Sequence, residues 1–254
     1  MILDKFSAWM FKRKLRGSTF FHQQLLHGRR LKIKTKHGIL LALDPNEYVD
    51  RFVIDYGYYE SEVLEAIMDH LPENGCFWDV GANIGLHAVT VACLKPDTKV
   101  FCFEPNPKMA ERIWENADLN KANVKTVQNA LGNSNREVSL YLHSGNAGMS
   151  SVQNWNEDKS LKKIEVELRR ADELCLSQAA TPSVVKIDVE GAEYEVLEGM
   201  QGILDSKQIK AIIFEDSRED SAGKQLLKAK GYRITQLERN EPTHHNLENY
   251  LAVK

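Results

Sequence analysis

The segment Asp79-Val80-Gly81-Ala82-Asn83-Ile84-Gly85 brings two glycines, an acid and an amide together. Glycines at such a point let a backbone turn tightly and approach a ligand closely. Glu104 follows 19 residues after Gly85. That is near the offset of roughly 20 residues at which a carboxylate takes the hydroxyl pair of a ribose. Together the two features favour a nucleoside-containing cofactor. Asn83 stands where a dinucleotide fingerprint needs its middle glycine, and the chain has no Gly-Lys-Ser/Thr of a Walker loop. The usual devices for holding a pyrophosphate or triphosphate are therefore missing. Asp79 at the loop entrance suits a cofactor bearing an ammonium group. S-adenosylmethionine carries an ammonium, a cationic sulfonium and a ribose. Asp79, Gly81, Ala82, Asn83, Gly85 and Glu104 are thus candidate cofactor contacts. The competing reading, a glycine turn kept only for strand–helix packing, leaves the spacing of Glu104 unexplained.

A second constellation, Val184-Val185-Lys186-Ile187-Asp188-Val189-Glu190-Gly191-Ala192-Glu193, sets charges at the end of an apolar run. The carboxyl end of a strand is the ligand edge of an open α/β sheet. Lys186 and Asp188 share strand parity and point to one face. A hydroxyl made to react at such an edge needs a base, or a metal that lowers its pKa. Asp188 is the first candidate for base or metal ligand and Glu190 the second. Lys186 could orient Asp188, stabilise a developing alkoxide, or only neutralise its neighbour. The bland reading of a carboxylate after a strand, a helix cap, fits Glu190 or Glu193 better than Asp188. Tyr59 and Glu60 precede the α/β region and could close over the site, although Glu60 also suits a first helical turn. The polar segment Asn146 to Ser151, with Met149, Ser150 and Ser151, is a candidate acceptor-side lid, against the reading of a surface loop. His87 is read as a packed side chain. His244 and His245 find no third ligand at metal-site spacing, so no metal site is assigned and metal dependence stays open.

These residues need a scaffold, and the hydropathy pattern supplies one. Cys76–Val80, Lys99–Phe103, 124–128, 183–187 and 209–214 read as strands. Leu86–Leu94, 108–120, 192–204 and 222–230 read as helices between them. That alternation predicts a mostly parallel sheet covered on both faces. Further strands are expected at 137–143 and 164–168, and an ending pair at 232–237 and 250–253. Ahead of this lie an amphipathic helix over 2–15, a hairpin around His37-Gly38, and a helix over 60–71. In the amphipathic helix Ile2, Phe6, Trp9, Met10 and Leu15 lie near one face. The expected division is a basic extension, residues 1–60, followed by a catalytic domain, residues 61–254.

The 254 residues are 43% hydrophobic and 27% charged, which excludes collagen-like, disordered and disulfide-scaffold classes. No apolar run reaches the length of a membrane span. Cys76, Cys93, Cys102 and Cys175 show no metal or redox spacing and read as reduced packing thiols, with a cytoplasmic location. The net charge of −3 hides an asymmetry: residues 1–37 hold ten Lys/Arg against Asp4 alone, +9, so the rest of the chain carries −12. The bland reading is a solvated basic face. Residues 2–16 could also meet the inner face of a membrane peripherally. RNA binding through this charge is the less favoured partner, because no RNA-binding module accompanies it. Oligomeric state is not legible.

The motifs DVGANIG (79–85), FEPNP (103–107), ALG (130–132), KIDVEGAEYEVL (186–197) and IIFE (212–215), in this order and spacing, resemble the FkbM family of S-adenosylmethionine-dependent methyltransferases. GYYE (57–60) and YLAVK (250–254) are similar to that family as well. The resemblance implies a Rossmann-like class I methyltransferase fold, a seven-stranded mostly parallel sheet whose last strand is antiparallel. It implies O-methyl transfer to a sugar, glycan or related small molecule. It also implies that Asp79, Gly81 and Gly85 line the methionine part of the cofactor, that Glu104 binds its ribose, and that Asn129 and Ala130 lie by the adenine. RNA methylation, or a non-catalytic cofactor-binding regulator, are the alternatives. The intact loop, Glu104 and Asp188 argue against the regulator.

Overall fold

The central strands are buried on both faces of the sheet, and the two cores this creates organise the molecule. The computed structural model describes residues 2–25, 28–143, 150–152, 161–177, 179–217, 220–239 and 248–254. Helices α1 (Ile2–Lys12) and α2 (Ser18–Leu25) come first, then the hairpin β1 (Leu31–Lys34) and β2 (Leu40–Leu43), then α3 (Tyr48–Tyr56) and α4 (Ser61–His70). The α/β region follows as β3 (Cys76–Val80), α5 (Leu86–Leu94), β4 (Lys99–Phe103), α6 (Pro107–Asn120) and β5 (Val124–Val127). Next come β6 (Ala130–Gly132), β7 (Arg136–Leu142), β8 (Lys162–Arg170) and α7 (Ala171–Ser177). The chain closes with β9 (Val184–Ile187), α8 (Glu193–Gly199), α9 (Gln201–Asp205), β10 (Ala211–Asp216), α10 (Ala222–Ala229), β11 (Arg233–Gln236) and β12 (Glu248–Val253).

Seven strands form one sheet in the order β11-β12-β10-β9-β3-β4-β5. β9 runs parallel to β3 and β10, β4 runs parallel to β3 and β5, and the last strand, β12, is antiparallel to both of its neighbours. This is the expected class I arrangement. Because successive side chains leave opposite faces, Phe77, Val184 and Ile213 join a core with α4, α5 and the β1–β2 hairpin. Trp78, Val185 and Ile212 join a second core with α8, α9 and α10. Continuous apolar runs such as those of β3 and β9 are what a sheet covered on both faces requires.

Several elements go beyond the sequence expectations. β6, β8 and β7 form a separate three-stranded sheet, β8 lying parallel to β6 and antiparallel to β7. α2, α3, β6 and α7 were not expected. The single helix expected over 192–204 is broken at Met200. Gly199 packs so closely on β6 that a Cβ there would lie 1.8 Å from the Gly132 carbonyl oxygen. The amphipathic reading of α1 also needs correction. It docks not through Ile2, Phe6 and Trp9 but through Asp4, Ser7 and Phe11. Polar anchors decide this: Arg29 Nη2 donates to Asp4 Oδ1 at 2.7 Å, and Arg51 Nη2 donates to the Phe11 carbonyl at 2.6 Å.

The β1–β2 hairpin is fastened to α6 by side chains that replace a neighbouring strand. Asn116 Oδ1 accepts from Ala42 N at 2.8 Å, and Asn120 Oδ1 accepts from Leu40 N at 2.9 Å. Arg112 donates to the Ala42 carbonyl at 3.0 Å and pairs with Asp50 of α3, both side chains being buried. Burial also keeps the thiols inert: all four cysteines are free, and Cys76 is pushed up to about 12. Removing one partner of a buried ion pair leaves a bare charge at a cost of about 3–5 kcal/mol. Arg112→Ala should therefore lose that much stability in chemical denaturation. A loss below about 1 kcal/mol would show that the Arg112–Asp50 pair adds little to the fastening of α3 and the hairpin.

Candidate active site

Strand parity carries the acids of the site to one face. Asp79 continues the parity of Phe77, Lys186 and Asp188 that of Val184, and Glu215 that of Ile213. β9 lies between β3 and β10, with Ile187 opposite both Val80 and Phe214. Asp188 thus emerges between the glycine loop and Glu215.

Lys186 is the hub. Its Nζ lies 3.0 Å from Asp188 Oδ2, 3.7 Å from Asp79 Oδ1 and 3.4 Å from the Gly81 carbonyl oxygen. Burial opposes its charge, but Asp188, Asp79 and Glu60 outweigh that and raise its pKa further. Asp79 is 1% exposed. Its Oδ2 accepts from Ala88 N at 3.2 Å, in the first turn of α5, while its Oδ1 accepts no hydrogen bond among the described residues. Asp188, with its side chain 27% exposed, opens toward solvent.

The glycine loop is shaped by close approach. Gly81 has φ +76°, and a Cβ there would lie 1.8 Å from the Asp188 carbonyl oxygen. No other residue fits, so this glycine is demanded by the protein itself before any ligand is considered. Asn83 takes φ +50° and donates its N–H to Glu104 Oε2 at 2.9 Å. Glu104 Oε1 accepts from Asn106 N at 2.9 Å. Each carboxylate oxygen so keeps a lone pair for a further donor.

An open cleft lies over the loop. Gly81, Asn83, Glu104, Asn129, Ala130 and Asp188 all line it, as do Ser150 and Glu190. Candidate cofactor and catalytic residues thus converge on one space. Ala82 is buried and packs into the core beside α5. Gly85, at φ +77°, caps that helix against Ile113 and Val89. The Ser150 hydroxyl is buried, with no hydrogen bond among the described residues. Ser151 pairs with Tyr141 and donates to the Glu190 carbonyl at 2.8 Å, so it supports the backbone of the catalytic turn. Asn146, Met149, His244 and His245 lie outside the described residues. Glu104 keeps two spare lone pairs facing this cleft for a ribose hydroxyl pair, while Asp79 lies buried just beneath it beside Lys186, with Oδ1 accepting no hydrogen bond among the described residues.

On the other side of Lys186 lies a polar network of which the sequence reading named only Tyr59, Glu60 and His87. Glu60, buried at the start of α4 with φ +54°, accepts from Asn249 Nδ2 of β12 at 3.1 Å and faces His87 Nε2 at 3.6 Å. Burial alone would raise its pKa, but the His87 hydrogen bond and the Lys186 charge hold it down at about 2. His87 also lies 3.4 Å from the Tyr58 hydroxyl, so it is packed as expected, but in a polar setting. Tyr59 sets its ring edge-on to Tyr48 and Phe52. Arg239 lies 3.6 Å from both Glu215 and Glu248, and 4.0 Å from Glu62. The signal for Glu215 was available in its position after a buried strand. Nothing local marks Asn249 or Arg239. Among the described residues no three His, Cys, Asp or Glu side chains are arranged to hold a metal ion.

Burial and crowded charge raise several of these acids above the ordinary 4.5. Glu215 goes up to about 10, Glu190 to about 8, Glu104 to about 7 and Glu193 to about 6. In each case burial is the largest cause. The neighbouring charge of Asp188 adds to it for Glu215, Glu190 and Glu193, and that of Asp79 for Glu104. The unfolded chain sheds these protons near pH 4.5 while the folded chain keeps them, so their stabilising contribution drains away as pH rises. The Tm of the ligand-free protein should therefore fall between about pH 5 and pH 8, and Glu215→Gln should shrink the fall. A flat or rising Tm across that window would refute the assignment. Gly81→Ala should cost about 2 kcal/mol or more, because backbone must move to admit the methyl. Wild-type stability in that variant would show that the contact with Asp188 yields freely.

The model of the family described as the methyltransferase FkbM domain matches residues 79–252. Hexuronic acid methyltransferase AglP of Haloferax volcanii is 34% identical over 148 residues, 58% of this chain and 59% of AglP. Methyltransferase 1 of Beauveria bassiana is 24% identical over 206 residues, covering 72% of this chain and 81% of the relative. The 2-O-methyltransferase NoeI of Sinorhizobium fredii is 29% identical over 140 residues, 48% of this chain and 55% of NoeI. The matched stretch therefore spans less than two thirds of AglP and of NoeI.

Proposed function

The chain belongs to the FkbM family of S-adenosylmethionine-dependent methyltransferases, and from that premise we propose that it methylates a hydroxyl of a sugar or glycan, with Asp188 as the base. The observation that carries this reading is the position of Asp188. It is held at 3.0 Å by Lys186 and opens into the same cleft as Gly81, Glu104, Asn129 and Ala130. AglP's name gives a sugar acid as its acceptor, and NoeI's gives oxygen as its receiving atom. Both support an oxygen acceptor here.

In this reading Glu104 takes the ribose hydroxyls, Asp79 faces the ammonium group, and Asn129 and Ala130 flank the adenine. Gly81, Ala82, Asn83 and Gly85 shape the loop that admits the cofactor. When bound, S-adenosylmethionine supplies an electrophilic methyl carbon with a neutral thioether as leaving group. The chain must then align the acceptor oxygen and take its proton. Alignment is worth up to roughly 7–11 kcal/mol, and a placed base about 10²–10⁴-fold. Asp188 takes the proton. Lys186 fixes its carboxylate at 3.0 Å. Glu190, raised by burial and by Asp188, holds a proton at neutral pH and offers it as a hydrogen bond to the acceptor. Ser150 and Tyr59 border the acceptor side.

Asp188→Asn should cut kcat by about 10²–10⁴-fold while leaving S-adenosylmethionine affinity within about threefold, a difference too small to represent a lost hydrogen bond. Full activity in Asp188→Asn, on a panel of methyl-accepting sugars and glycans assayed with and without divalent cations, would remove Asp188 as base. Glu104→Ala should weaken cofactor binding by about 1–3 kcal/mol in calorimetry. Unchanged affinity would refute the ribose assignment.

A further inference from the structure

α1 presents two opposed faces. At about 100° per residue, Ile2, Phe6, Trp9 and Arg13 span roughly 60° of the helix surface. Asp4, Ser7 and Phe11 lie opposite them and are the buried residues. The inner face is fastened by the Asp4–Arg29 pair, and Arg51 stacks on the Phe11 ring at 4.9 Å. The outer face is therefore fixed outward, and it is apolar. Ile2 is 86% exposed, Leu3 53%, Trp9 48% and Phe6 45%, and Phe20 of α2 is 70% exposed beside them in sequence order. These aromatics form a built cluster: Phe6 stacks on Trp9 at 5.7 Å and meets the edge of Phe21 at 5.2 Å. Scattered single apolar side chains on a surface need no explanation, but a preformed aromatic patch does.

Its surroundings define what covers it. Lys5 and Lys12 flank one side of the stripe, Arg13 continues it, and Lys14 and Arg16 follow in the exposed turn. The only acid in this stretch, Asp4, faces inward and is already paired with Arg29. An apolar stripe with aromatic side chains at its centre and unopposed cations around it matches the boundary of an anionic bilayer. Trp and Phe insert at the headgroup level there, while Lys and Arg reach the phosphates. A protein partner would need an acidic rim around an apolar socket, whereas a membrane supplies both everywhere. No helix among the described residues is long and apolar enough to cross a membrane, so the contact is peripheral.

We propose that the outer face of α1, together with Phe20, seats the protein on a lipid bilayer bearing anionic headgroups. The test is co-sedimentation of the full chain with phosphatidylcholine vesicles, with and without roughly 30% phosphatidylserine, at low and physiological salt. Binding is expected on the anionic vesicles and should weaken as salt rises. Phe6→Glu/Trp9→Glu should reduce it about tenfold or more by removing the inserted apolar area. Lys12→Ala/Arg13→Ala/Lys14→Ala should reduce it on anionic vesicles while leaving the aromatic cluster in place. Circular dichroism melting checks that each variant keeps its fold, since both sets alter exposed side chains only. Equal binding to both vesicle types, no binding to either, or wild-type binding by both variants would overturn the proposal. So would a concentration-dependent dimer in sedimentation that Phe6→Glu/Trp9→Glu dissolves, because the face would then be a contact between two copies of this chain.

Discussion

One buried cation holds this site together. Lys186 projects from the middle of the sheet into a space that Asp79, Asp188 and Glu60 share. An ammonium group taken out of water at that depth costs several kcal/mol, and only close carboxylates can offset it. The arrangement therefore ties three segments to one point: the strand that enters the glycine loop, the strand that carries Asp188, and the start of α4. Losing any one of the acids would leave the others and the lysine badly matched. The loop must then lie against the end of β9, and this is why Gly81 has no room for a Cβ beside the Asp188 carbonyl.

The same point extends in two directions. Toward β4, Glu104 holds Asn83 and Asn106 by their backbone N–H groups, so the residue proposed to read the cofactor also sets the shape of the loop. Toward β12, Glu60 reaches Asn249, and Arg239 gathers Glu62, Glu215 and Glu248. The antiparallel last strand thus does more than close the sheet. It delivers a buried amide to the charge network on the acceptor side. Burial and crowding raise Glu215, Glu190, Glu193 and Glu104 even though Arg239 lies 3.6 Å from Glu215, and in the proposed mechanism Asp188, held by Lys186, takes the proton.

The α/β region was readable because its signals are local. Apolar runs such as Cys76–Val80 and Lys99–Phe103 announce buried strands, and the apolar run 86–94 after the glycine turn reads as the helix between them. The glycine loop, Glu104, Lys186 and Asp188 were legible as a group because each sits at a strand end, where ligands gather in this class of sheet. What escaped was set by distance or by charge. Asn249 meets Glu60 across 189 residues, and nothing near either residue announces it. α3 hides its pattern because a buried Asp50, paired with Arg112, occupies a core position. β6 has three residues and takes its meaning only from β8. α1 was read as amphipathic, yet the apolar stripe did not choose the docked face. The buried face is the opposite one, with Asp4, Ser7 and Phe11, fastened by the Asp4–Arg29 pair and the Arg51 contact with the Phe11 carbonyl.

The central claim is that Asp79, the glycine loop and Glu104 form a cofactor site beside the proposed catalytic pair Lys186 and Asp188. The most direct measurement is calorimetric titration of the intact chain with S-adenosylmethionine and with its demethylated product. The account predicts saturable binding of both at one site per chain, with the cationic methyl donor and its neutral thioether product competing for it. No heat and no change in Tm up to millimolar concentrations of either, in a sample that melts cooperatively, would contradict it.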